Sequence, residues 1–227
     1  GDVYKRQIFE SIYGSGANYA PQAKDAEDER VVITPDMMWG CTALDVEITD
    51  AGISYLCFPE SEKEDWIGKP ALHTEQVITL YPHELVCTYT YEIRNVQNLK
   101  YATQMCGSLS SMAPSEFFGD EELGTECVTI PFESVSDGVS NITGGFYTFG
   151  HHEKNTRHHK LLLYVWFVDG SKYYYTFDVT DQIHAAPDKR HVHIIIDGLE
   201  FPQPITNGNG FQPSVDDWQV VEEDIVM

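Results

Sequence analysis

Residues 161–179 read LLLYVWFVDGSKYYYTFDV. Aliphatic, β-branched and aromatic residues flank Asp169-Gly170 on both sides, and such side chains suit a pleated surface. Asp-Gly between two such runs signals a β-hairpin, because glycine accepts the positive φ of a tight reversed turn. Two paired strands are therefore expected, Leu161 to Val168 and Tyr173 to Phe177.

Outward from this hairpin the same two-residue period recurs. Leu85, Cys87, Tyr89, Tyr91 and Ile93 fall on one face of a strand, and Val86, Thr88, Thr90 and Glu92 on the other. Val77 to Tyr81, cut off by Pro82, predicts a further strand, as do Cys127 to Phe132 and Gly145 to Phe149. After the hairpin, Thr180 can cap one helical turn through Ile183, which Pro187 stops. His191 to Ile196 predicts a strand ended by Asp197-Gly198. Short strands parted by Gly, Pro, Asp and Asn turns at roughly ten-residue intervals predict an antiparallel β-sandwich, not alternating βαβ units.

The sandwich is expected over residues 75–202. Residues 61–74 form a polar connection, and residues 8–60 carry β-like runs too few to close a sandwich, so they predict the C-terminal remnant of a preceding, incomplete β domain. Gly1 to Gln7 (GDVYKRQ) shares no pattern with the rest, resembles a sequence scar and is left out of the fold reading. Residues 203–227 form an extension that ends in a β-prone segment.

Charge and composition narrow the function. The chain has 227 residues, with 14 Lys plus Arg against 36 Asp plus Glu, a net charge of −22. Such a surface repels phosphates, so nucleic acid is excluded as a partner. With 42% apolar residues the chain can bury a sizeable core. The longest uncharged apolar run, Leu161 to Val168, is far short of the roughly 20 residues that a membrane-spanning helix needs. No secretory signal pattern opens the chain. The 5 cysteines have no zinc-ribbon or redox spacing, and are read as small buried hydrophobes.

No residue pattern supports catalysis or a cofactor. His151, His152, His158 and His159 crowd one segment, but Lys154, Arg157 and Lys160 among them oppose a dication, and the segment reads as a polar loop tip without a metal. His191 and His193 alternate on a strand and read as flanking the sheet. Carboxylate runs such as Asp120 to Glu122 are solvated faces. There is no nucleophile elbow and no phosphate-cradling loop. Two contact surfaces remain. Tyr173 and Tyr175 share a face and, if that face is outward, could stack on a sugar or a partner. After Gly208-Asn209-Gly210, the segment bearing Trp218, Val220 and Ile225 can pack on its own sheet or add to the open edge of another subunit.

Several phrases, ERVVITPDMMW (29–39), VITLYPHELVCTYTYEIRNVQN (77–98), VTIPFESVSDG (128–138), GSKYYYTFDVTDQI (170–183), HIIIDGL (193–199) and GFQPSVDDW (210–218), resemble a family of Bacteroides-type lipoproteins related to fimbrillins and fimbrial anchor subunits. The resemblance implies transthyretin-like β-sandwich domains, surface display through a lipid anchor, a role in fimbrial assembly or adhesion, and other fimbrial or surface subunits as partners. It implies no enzyme. A glycan-binding module built on exposed aromatics is the alternative.

Overall fold

Two residues of the strand at Val128–Ser136 decide the layering. Up to Glu133 this strand pairs with one neighbour, and from Ser134 it pairs with a different one. One path of strands is thereby curled into two layers that enclose a common core. The computed structural model describes residues 26, 28–41, 79–117 and 122–204, together with the backbone of 219–222.

In chain order the strands are β1 (Arg30–Val31), β2 (Trp39–Gly40), β3 (His83–Glu84), β4 (Cys87–Gln97), β5 (Ala102–Met112), β6 (Glu116–Phe117), β7 (Glu122–Leu123), β8 (Val128–Ser136), β9 (Ile142–Thr148), β10 (Lys160–Phe167), β11 (Lys172–Asp178), β12 (His191–Glu200) and β13 (Gln219–Glu222). An α-helix, α1 (Thr180–Ala185), lies before β12, and a 3-10 turn spans Leu99–Tyr101. The strand order is β12-β4-β9-β8-β5-β10-β11-β13, with β1 on β8. No helix among the described residues is long and apolar enough to cross a membrane. The chain divides into two compact units, residues 39–83 and the remainder.

The all-β expectation holds, and the alternation read from 85–93 is observed from Cys87 on; Leu85 and Val86 precede the strand, and Val86, expected on the outer face, is fully buried. Cys87, Tyr89, Tyr91 and Ile93 are buried; Ile194 and Ile196 of β12 lie beside Tyr91 and Ile93 in the same sheet, and all share a single cluster with Leu161, Leu163 and Val165 of β10. Phe132 and Phe146 stack across the core with centroids 4.5 Å apart.

Several expectations are corrected. The sandwich is not purely antiparallel: β1 on β8, β12 on β4 and β13 on β11 are parallel. Between β4 and β12 the chain builds the whole opposite layer, so nothing forces an antiparallel return. Arg30–Val31, read as part of a preceding domain, pairs with the sandwich. Residues 79–81 form no strand, and the connection expected at 61–74 lies outside the described residues. Asp197-Gly198 does not end β12; the strand runs on to Glu200, and Gly198 (φ 80°) meets Asn95 (φ 55°) at a kink. At the hairpin, Phe167 N–H bonds Ser171 O and Gly170 N–H bonds Phe167 O, which makes a three-residue loop closed by left-handed Gly170 rather than a two-residue turn. Thr180 is the first helical residue rather than the cap; Asp178 Oδ1 accepts its N–H and its hydroxyl.

Candidate functional site

A sheet's unpaired border is its most reactive backbone, because it offers a row of free N–H and C=O groups. Both borders of the β8-β5-β10-β11 layer are covered by short parallel strands drawn from distant parts of the chain. At one border β13 runs along β11, with Tyr173 opposite Gln219 and Thr176 opposite Glu222. At the other, Arg30 and Val31 lie opposite Val128 and Thr129, and Val32 N–H donates to Thr129 O. Pro131, which has no N–H to donate, sits in β8 as it does in border strands generally.

Two ladder positions are too few to hold β1 by backbone pairing, and a polar network does the rest. The Glu29 carboxylate, buried beside β1, accepts from Ser111 N–H (3.0 Å), Ser111 Oγ (3.1 Å) and Thr129 Oγ1 (2.8 Å). Ser111 can face it because β5 slips register against β8 between Leu109 and Met112, and Ser111 takes a left-handed φ of 66°. Just outside, Arg157 forks onto Asp28 at 2.9 and 2.6 Å and lies 3.6 Å from Glu29. That fork raises the Arg157 pKa and lowers that of Asp28. An open polar recess of about 550 Å³ lies here, lined by Asp28, Arg30, Glu126, Cys127, Asn155 and Arg157.

Arg157 belongs to the loop that the sequence suggested was a polar tip. The structure corrects that reading, because His151 and His159 are buried under it. Tyr89 Oη and His151 Nδ1 share a hydrogen bond at 2.7 Å. His159 Nδ1 lies 3.2 Å from Ser110 O, and a carbonyl only accepts, so that nitrogen carries the proton. His159 Nε2 is then bare and accepts from His184 Nε2–H at 3.3 Å. The three rings sit 5.1–5.3 Å apart, centroid to centroid. Burial, then the neighbouring imidazoles, lower His151 to about 4, and burial lowers His159 to about 4. No group of three His, Cys, Asp or Glu among the described residues is arranged to hold a metal ion.

His184, on α1, was invisible as a partner in sequence. Nothing in the sequence links it to 151 and 159 except the expectation of a helical turn. His191 lies apart from this cluster, exposed between Asp188 (2.9 Å) and Glu84 (3.0 Å), which raise its pKa, Asp188 first. Cys41, Cys87, Cys106 and Cys127 form no disulfide among the described residues, and burial pushes Cys87 up to about 11.

The residues predicted as contacts are placed differently. Tyr175 is 1% exposed and packs on Phe201 with centroids 5.3 Å apart, and Tyr173 meets Phe167 edge-on at 5.5 Å. Their shared face is the inner one, so they form no outward platform for a sugar. Tyr174, on the opposite face, packs on Tyr164 at 6.1 Å. Val220 lies within β13; Trp218 and Ile225 fall outside the described residues.

These features define an all-β sandwich protein in which short parallel strands lie along both borders of one layer, one of them held by a buried polar network. Residues 2–133 match the family described as Domain of unknown function (DUF5119), and the chain belongs to that family. Among solved structures, one from Bacteroides ovatus described as a "putative adhesin" is 18% identical, with a TM-score of 0.44, 60% of this chain covered and 56% of the other. The fimbrial anchor protein Mfa2 from Porphyromonas gingivalis is 16% identical, with a TM-score of 0.38, 70% of this chain covered and 51% of the other. The chain thus spans about half the length of these structures. No curated protein matches the sequence.

Proposed function

We propose that this chain is a non-enzymatic subunit of a fimbrial or adhesin-type surface assembly, displayed through a lipid anchor on its parent protein, and that it associates by strand addition at the β11 border. The supporting observation is β13 itself. It reaches β11 across the Asn-Gly stretch at 207–210 and pairs through four register positions, Tyr173 to Thr176. A border that takes a parallel strand from the chain's own end can take the same segment from a neighbour, because the backbone bonds are identical in the two cases. The strongly acidic surface discourages nonspecific pairing and leaves specificity to register and side-chain fit.

Deletion of residues 210–227 is expected to leave the sandwich folded and to abolish self-association. The deleted chain should take up a synthetic peptide of residues 210–227, measured by calorimetry, while the intact chain should not. A deleted chain that stays folded yet ignores the peptide, or self-associates as before, overturns the mechanism.

A further inference from the structure

We propose that the His151–His159–His184 cluster is an acid-sensitive latch on the N-terminal strand. When His151 and His159 charge, the loop 150–159 leaves its seat, Arg157 withdraws from Asp28, and β1 peels from the border of β8.

Loop and strand share their anchors: the single hydroxyl proton of Ser111 is shared between Glu29 Oε1 (3.1 Å) and His158 O (3.0 Å), and Ser110 Oγ accepts Lys160 N–H at 3.0 Å while Ser110 O accepts from His159. Asn155 reaches Cys127, the residue before β8, at 3.3 Å. A loop that moves at 159 therefore disturbs Ser110 and Ser111, and with them the Glu29 seat. Arg157, two residues away, carries the rest of the hold on Asp28.

The surroundings of the cluster favour neutral rings. From β4, Tyr89 and Cys87 approach His151; from α1 comes His184, and beyond it Lys189, whose ammonium donates to the carbonyls of Ile183 and His184. Arg190, Glu116 and Glu153 line the recess beside His151, and His152 adds a further imidazole on the same loop. Near His159 the carboxylate that opposes this is Asp178 on β11, and Lys160 and His158 already engage it. Both nitrogens of His159 are committed, so a proton there requires His184 to surrender its Nε2–H, and a second proton sets two cations about a ring's width apart. His151 Nε2 is buried with no hydrogen-bond partner among the described residues, so nothing at that nitrogen stabilises a cation.

The inference extends the strand-addition reading without depending on it, since amide exchange reports on β1 and association reports on the partner. In the full-length chain, exchange protection of residues 28–32 and 150–159, corrected for intrinsic rates, is expected to fall at least about tenfold between about pH 7 and about pH 5. β4 and β10 should stay protected. His151→Asn/His159→Asn, which keeps a group near each Nδ1 but does not titrate, should hold the strand closed at both pH values, and Arg157→Gln should loosen it at both. Equal protection at the two pH values in the natural chain overturns the latch, and so does a double variant that opens as the natural chain does. Should the double variant fail to fold, the natural chain decides alone: loss of protection spread evenly over β4, β10 and 28–32 is global unfolding and overturns the proposal.

Discussion

Gly107 is a residue at which backbone and core leave no room. A Cβ there would run into the ring of Phe132 and stand 3.0 Å from Leu162 O. Phe132 cannot yield, because it is buried and stacked on Phe146. Gly107→Ala should therefore destabilise the fold by about 1–3 kcal/mol, read as a lower urea midpoint with an unchanged m-value. At Glu29 the cost is polar instead. Glu29→Ala removes the acceptor for Ser111 N–H, Ser111 Oγ and Thr129 Oγ1, all buried, and should cost roughly 2–4 kcal/mol. Exchange should localise that loss first to residues 28–32; a variant as stable and as protected as the natural chain would show that the network does not hold β1.

Among the elements, the β10–β11 hairpin is the most legible and also the most instructive. Its strands were readable because apolar and aromatic residues fill both runs, but the faces of Tyr173 and Tyr175 were not, since alternation gives parity and leaves the sign to whichever layer covers it. β10 itself is buried on both faces: Leu161, Leu162, Leu163, Tyr164 and Val165 are all inaccessible, with Leu162 and Tyr164 in a second small cluster with Cys106 and Ala26. The loop depends on Gly170, whose φ is 82° with nothing near its missing Cβ. Gly170→Ala should thus cost about 1 kcal/mol through backbone strain alone, lowering the melting temperature without altering the core. β5 escaped notice for a physical reason: its burial on both faces is achieved with Gly107, Ser108 and Ser110, so no apolar alternation marks it.

On the scale of the whole molecule, a net charge of −22 makes self-repulsion a standing cost of compactness. Raising sodium chloride from about 10 to about 150 mM shortens the screening length from about 30 to about 8 Å, and should raise the urea midpoint. A midpoint indifferent to salt would mean that the charges are already locally neutralised. pH acts in a second way. His151 and His159 are held near 4 against 6.5 in an unfolded chain, so the unfolded state takes up protons first. Stability from these groups is complete above about pH 6.5 and falls as pH drops toward 4, by roughly 3 kcal/mol for each buried ring. Urea titrations near pH 7 and pH 5 would measure this, and His159→Asn should flatten the dependence.

The sequence by itself determined the fold class and the positions of β4, β8, β9, β10, β11 and β12, because two-residue alternation and turn residues are local quantities. Only the tertiary structure decided which face of each strand is inner, that Arg30–Val31 joins the sandwich, and that His151, His159 and His184 meet. Those outcomes depend on long-range pairing, in which residues nearly 100 positions apart, such as Arg30 and Val128, become neighbours through the course of the chain between them.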